Sequence, residues 1–305
     1  MDFGKLENVD NVHFSMPIDD ADNARILNKF SLKKIPTIRI GCTGWSVREW
    51  CGTIYPKKIA TSEFPKYYGA QFSTIEFNTT HYRTPEISDC ERWYNEVPSD
   101  FRFAPKMLQT VSHAENLNSV IDLANRFYYN LSFLKEKLGP IFIQFPPTFS
   151  PKSLNALESF LKHTPKYIHL AVEVRHQTWF NEPHFKSLKQ LLENYNCSFV
   201  ITDVSGRREV LHSSLTQRVS LIRFVGNKLH TTDYQRIDAW CERIKKWLTL
   251  GLEEVYFFSH QTDNIESPVI AQYFYEKMQS ILNFPIEMRG QIALDAPKND
   301  QLSLF

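Results

Sequence analysis

The chain has 305 residues, of which 42% are hydrophobic and 23 are Phe, enough length and apolar content for one large α/β domain with a sizeable core. Lys plus Arg (35) nearly balances Asp plus Glu (34), so no global charge advertises nucleic acid or an anionic membrane, and any such binding must be local. The five cysteines, Cys42, Cys51, Cys90, Cys197 and Cys241, are odd in number and form no CxxC pair, which argues against a disulfide framework or a zinc ribbon.

The opening MDFGKLENVD has neither the basic start nor the apolar stretch of a signal peptide. Apolar runs such as GPIFIQFPP are too short to cross a bilayer, so the expectation is a cytoplasmic protein without a membrane partner. Residues 1–36 read as a polar N-terminal extension, in which ADNARILNKFSLKK forms one short amphipathic helix that docks or frays. From Thr37 onward eight β-rich runs follow: TIRIGCTGW, FSTIEFN, FRFAPKM, PIFIQFP, HLAVEVR, SFVITD, VSLIRFVG and EVYFFSH. Helix-compatible stretches separate them, around 61–70, 87–96, 117–138, 151–163, 182–195, 231–250 and 268–282. The segment SGRREVLHSSLTQR reads as a loop with a short helix. Eight strand-helix units over 37–285, with near-continuous apolar strands, are the arithmetic of a (β/α)8 TIM-like barrel. The alternative, an open doubly wound sheet, loses its usual nucleotide-binding forms because no GxGxxG or GxxxxGKS follows a strand. Residues 286–305 form a flexible, polar C-terminal tail.

In such a barrel chemistry sits at the C-terminal ends of the strands, where out-of-character polar residues recur: Glu76, Asn78, Lys106, Gln144, Glu173, Arg175, Asp203, Arg223, Ser259 and His260. Strand side chains alternate with period two, so Glu76 shares a face with Asn78, and Glu173 with Arg175. A buried charge costs several kcal/mol unless paired, so these groups form either a balanced ion network or a site with tuned pKa values. Glu76 or Glu173 suits a general acid or base, Lys106 an oxyanion stabiliser, and Arg175 or Arg223 a grip on phosphate or carboxylate; Asp203 completes the catalytic candidates. With His176, His260, Glu76 and Asp203 the residue types also suit zinc or manganese. There is no HxH or HExxH, so no cofactor is favoured and a divalent metal stays open. Trp45, Trp50, Tyr55, Tyr82 and Trp179 crowd the loops, where aromatic rings either stack on sugars or bases or simply pack. No GxSxG elbow points to a serine hydrolase.

Taken in order, GCTGW, IEFNTTHYRTP, FRFAPKM, GPIFIQFPPTF, VEVRHQTWF and LIRFVG resemble the YecE-like family, a domain of unknown function. The resemblance covers about residues 37–285 and implies a TIM-like barrel without an established activity. It falls on Gly44, Trp45, Glu76, Asn78, Thr80, Tyr82, Lys106, Gln144, Pro146, Pro147, Glu173, Arg175, His176, Trp179, Asp203, Arg223 and Gly226. Two blocks depart from the family pattern. RFHG is here RFVG, with Val225 for the histidine, and paired asparagines at the end of the eighth run are here Ser259 and His260.

The terminal QLSLF resembles the short peptide by which bacterial replication and repair proteins dock on the DNA polymerase sliding clamp. Leu302, Leu304 and Phe305 would anchor in an apolar pocket while Gln301 bonds its rim. The competing expectation is that Leu304 and Phe305 fold back onto the chain's own helices. The sequence therefore predicts an acid/base enzyme on a nucleic-acid, nucleotide or sugar-phosphate substrate, cleaving a phosphodiester or glycosidic bond; Trp45, Asn78, Tyr82, Gln144, His176, Trp179, Arg223 and His260 would bind the substrate. The alternative is a non-catalytic ligand- or DNA-binding module recruited by the tail.

Overall fold

Short runs of β-branched and aromatic residues bounded by Pro, Gly and polar turns leave the chain few options but extended, buried strands. In the computed structural model, which describes residues 4–28 and 35–291, each of the eight runs is a strand. They are β1 (Thr37–Cys42), β2 (Thr74–Phe77), β3 (Arg102–Pro105), β4 (Ile141–Gln144), β5 (Leu170–Glu173), the sixth run split into β6 (Ser198–Phe199) and β7 (Ile201–Asp203), β8 (Val219–Val225) and β9 (Glu254–His260). A short β10 (Glu287–Met288), not expected from the sequence, pairs with the start of β1.

All of these pairings are parallel. They fall into three sheets, ordered β10-β1-β9-β8-β7, β2-β3 and β4-β5-β6. Single bridges at Thr43–Glu76 and Lys106–Phe142 join the sheets, and the sixth run changes sheets at Val200, whose N–H donates to Val172 O at 2.9 Å. The fold is therefore a TIM-like α/β arrangement of parallel strands in chain order, without one continuous closed ladder among the described residues. At the β1–β2 junction the backbones nearly touch: a Cβ on Gly41 would lie 2.1 Å from Thr74 O, so only glycine fits there.

Helices α2 (Phe64–Gln71), α3 (Ile87–Glu96), α4 (Gln109–Ser112), α5 (Ile121–Leu131), α6 (Leu154–Lys162), α7 (His184–Asn194), α8 (Thr231–Leu250) and α9 (Ser267–Ile281) occupy the connections. The segment SGRREVLHSSLTQR is a loop with one 3₁₀ turn at Arg208–Val210. Period-two alternation divides the strand side chains into two cores. Ala104, Phe142, Ala171, Val200, Leu221, Tyr256 and Phe258 pack on one another on one face of the strands, whereas Ile40, Phe77, Phe103, Ile143, Val172, Phe224 and Phe257, on the alternate phase, belong to the larger core that includes the helices.

The N-terminal extension docks. Helix α1 (Asp22–Leu27) buries Ile26 and Leu27, and Asn23 bonds Ser213 O and the N–H of Leu215, each at 2.7 Å. Asp19 accepts from Lys246 at 2.7 Å and Trp247 Nε1 at 2.9 Å, and Asp20 accepts from Lys189 at 2.6 Å. Among the described residues no helix is long and apolar enough to cross a membrane. Gln301, Leu302, Leu304 and Phe305 lie outside the described residues.

Candidate functional site

The inward phase that places Ala104, Phe142, Ala171 and Leu221 in the inner core carries Lys106, Gln144, Glu173 and Arg223 onto the same face two residues later. There they form one connected chain of hydrogen bonds. His260 Nε2–H donates to Glu76 Oε2 at 2.8 Å, and Arg223 holds Glu76 in a two-pronged grip, Nε to Oε2 at 2.8 Å and Nη2 to Oε1 at 2.9 Å. Arg223 Nη1 then donates to Glu173 Oε2 at 2.8 Å. Glu173 also accepts from Arg175 Nε at 2.8 Å and from Gln144 Nε2 at 2.9 Å. Gln144 Oε1 closes the series by accepting from Lys106 Nζ at 2.9 Å. The Phe142 ring lies beneath, 5.4 Å from Arg223 Cζ and 6.0 Å from Lys106 Nζ.

Glu76 and Glu173 are buried, yet both are held as carboxylates. Burial opposes their ionisation, but the Arg223 guanidinium outweighs it, with His260 for Glu76 and Arg175 for Glu173. Glu76 is held well below the ordinary glutamate value, and Glu173 is lowered to about 2. Lys106 moves the other way: burial, then Arg223, lowers it to about 8. Burial also lowers His260, which as the neutral imidazole donates from Nε2 to Glu76 and accepts from Thr43 Oγ1, 2.8 Å from Nδ1.

Above the network opens a cavity of about 480 Å³, lined by Lys5, Thr43, Asn78, His81, Tyr82, Lys106, Gln109, His113, Gln144, Arg175, Thr202, Arg223, Val225 and His260. No Asp or Glu is among the described residues that line it. Two of its polar atoms, Asn78 Oδ1 and Thr202 Oγ1, are buried without a hydrogen-bond partner among the described residues, and both face space that a ligand or water would fill. Among the described residues no three His, Cys, Asp or Glu side chains gather as a metal site.

Eight of the residues singled out from the sequence therefore converge: Glu76, Asn78, Lys106, Gln144, Glu173, Arg175, Arg223 and His260, with the exposed ring of Tyr82 at the rim. Four do not. Asp203 follows the inward Thr202 and so points outward, where it pairs with Arg236 at 3.0 Å and Arg208 and accepts from Trp240 Nε1 at 2.7 Å. Trp45 packs in the shell core against Phe77, with ring centroids 4.9 Å apart. Trp179 is fully buried, donating to Phe149 O at 2.7 Å. His176 caps a 3₁₀ turn by accepting from Thr178 and faces a separate hollow with Lys152 and His184.

Sequence reading missed His81 and His113, whose rings stand 6.0 Å apart on the cavity wall, together with Thr43, Gln109, Thr202 and Lys5. His81 Nδ1–H donates to Met107 O at 2.7 Å, and burial lowers its pKa. His113 is lowered by burial and then by Lys106 and Arg175. The IEFNTTHYRTP block already held His81, but the histidine lies in a turn rather than at a strand end, and no period flagged it. Val225 is the cross-strand partner of His260, and both line the cavity.

The family model described as "Protein of unknown function DUF72" matches residues 39–289, a span that holds every strand end of the network. The chain belongs to that family. The UPF0759 protein YecE of Escherichia coli strain K12 is 28% identical over 264 residues, covering 80% of this chain and 94% of that protein. The UPF0759 protein YunF of Bacillus subtilis is 29% identical over 156 residues, 49% of this chain and 54% of that one. Crystal structures of DUF72 family proteins share the fold. One from Enterococcus faecalis aligns with a TM-score of 0.64 at 22% identity, covering 81% of this chain and 96% of that chain. One from Thermotoga maritima aligns with a TM-score of 0.63 at 24% identity, covering 80% and 99%.

Proposed function

We propose that the strands act as a (β/α)8 barrel whose mouth binds the phosphate of a small or nucleotide-type substrate, and that this DUF72 chain is an acid/base enzyme that hydrolyses the ester. The observation that carries the reading is the lining around Lys106, Arg175 and Arg223 with three histidines, and no acid among the described lining residues. The general-base role expected of Glu76 and Glu173 passes to the imidazoles, because both carboxylates are tied to Arg223 below the cavity. Glycosidic hydrolysis loses support for the same reason, since it needs one protonated carboxylic acid at the bond to be cut.

In the phosphoester reaction water attacks phosphorus and gives its proton to the neutral His113 or His81. The P–O bond to the alcohol breaks, and the Lys106 ammonium, lowered to about 8, protonates the leaving oxygen. Recruitment to a sliding clamp through Gln301–Phe305 is a separate proposal that rests on the sequence alone. Chromogenic phosphomonoesters and phosphodiesters test the chemistry: turnover inhibited by orthophosphate and lost in Lys106→Met supports it. Orthophosphate binding through Lys106 with no ester turned over leaves a binding module instead.

A further inference from the structure

We propose that residues 4–7 form a strap that completes the mouth, and that Lys5 recognises a second anionic group, so the ligand is an elongated dianion; this rests on the anion-binding reading above. The strap lies outside the residues that the family model matches. Its path is fixed by a seam of two glycines. The Gly206 N–H donates to Gly4 O at 2.7 Å, and Ser205 Oγ donates to the same oxygen at 3.3 Å. Gly4 has φ +72°, and a Cβ there would lie 2.5 Å from Arg207 Cγ. A Cβ on Gly206 would lie 2.7 Å from Gly4 O. Neither position takes a side chain without moving the strap.

From this seam beside β7 the chain crosses to the loop after β9, where Lys5 Nζ donates to Thr262 O at 2.9 Å. Lys5 thus lines the mouth cavity and also a second one of about 510 Å³, shared with Leu6, Glu7, Gly226, Asn227, Lys228 and Thr262. The far wall of that second lobe is a strained turn. Lys228 and Leu229 hold consecutive left-handed conformations, φ 55° and 56°, which non-glycine residues rarely adopt. The turn is held by Lys228 N–H to Gln261 Oε1 at 2.8 Å and Asn227 N–H to Asp233 Oδ2 at 2.7 Å. Strain of this kind persists where the surroundings over-determine it, and here it sets Lys228 on the lobe's wall. One anionic group then sits at Lys106 and Arg175, and a second sits between Lys5 and Lys228.

The test is calorimetric binding of methylphosphonate and of alkane bisphosphonates with progressively longer spacers to the full-length protein. One bisphosphonate length should bind more tightly than methylphosphonate, and Lys5→Met should weaken that bisphosphonate by about tenfold or more while changing methylphosphonate by less than about twofold, as expected for loss of one charge-assisted contact. Lys5→Arg should restore the preference. Equal loss for both ligands, no loss in Lys5→Met, or no preferred length would overturn the strap as a recognition element. If methylphosphonate itself fails to bind the unaltered protein, the anion-binding reading falls and the strap proposal falls with it; binding that depends on Lys106 but not Lys5 removes the strap proposal alone.

Discussion

Two buried carboxylate–arginine networks stand at the C-terminal end of the strands, on opposite faces of the sheet. Around Asp203, two acids, Asp203 and Asp233, meet two guanidinium groups, Arg208 and Arg236, and Phe14 of the N-terminal segment lies 4.8 Å over Arg236. Asp203, Asp233 and Arg236 are sealed from solvent, and the charges balance. Around Glu173 two acids meet Arg223, Arg175 and Lys106, and the excess cation faces a cavity. Buried acid is therefore no mark of the site. Unbalanced positive charge beside open space is what sets the Glu173 network apart.

The comparison breaks most sharply at its two central arginines. Arg236→Met and Arg223→Met each remove the guanidinium shared by two buried carboxylates and should each cost about 3–5 kcal/mol in urea unfolding. They should differ in function: the folded fraction of Arg236→Met keeps orthophosphate binding, and that of Arg223→Met loses it. Equal loss of binding in both would erase the distinction between the networks.

Next in size is Glu173→Gln. It removes the charge that faces Arg223 and Arg175, for about 1–3 kcal/mol of stability. Because it adds positive character to the mouth, sulfate should bind more tightly, the opposite of what removal of a ligand-binding acid would give. The acid limb of the stability curve sharpens this. Glu173 is lowered to about 2, so its contribution is complete above its ordinary value of 4.5 and is lost as pH falls toward 2. Glu173→Gln should flatten that limb in pH-dependent unfolding.

The smallest effect on stability should come from Lys106→Met, which removes a charge that burial penalises, yet it should weaken sulfate binding about tenfold. Lys106 binds as the ammonium and is lowered from 10.5 to about 8, so sulfate affinity should fall as pH rises through about 8 rather than near 10.5. Sulfate does not titrate there, so the fall reports the protein, and Lys106→Met should abolish it.

Much of this was legible in the sequence. Eight apolar runs announce eight strands, and period two correctly puts Glu76 with Asn78 and Glu173 with Arg175. The differences in placement have local causes. The sixth run breaks at Val200 as it passes between sheets, and its inward phase falls on Thr202, which looks unremarkable, rather than on Asp203, which looks catalytic. Trp45 and Trp179 sit in loops by sequence but in the shell core by packing, since only tertiary contacts decide whether a loop aromatic faces in or out. His113 and Lys5 reach the mouth from a short helix and from the extension, where no strand periodicity operates.

The most direct test of the central claim is a calorimetric titration of orthophosphate into the full-length protein and into Lys106→Met. The account predicts one saturable site per chain whose affinity drops about tenfold or more in the variant, as loss of a charge-assisted contact requires. No binding, or equal binding by both proteins, would contradict it.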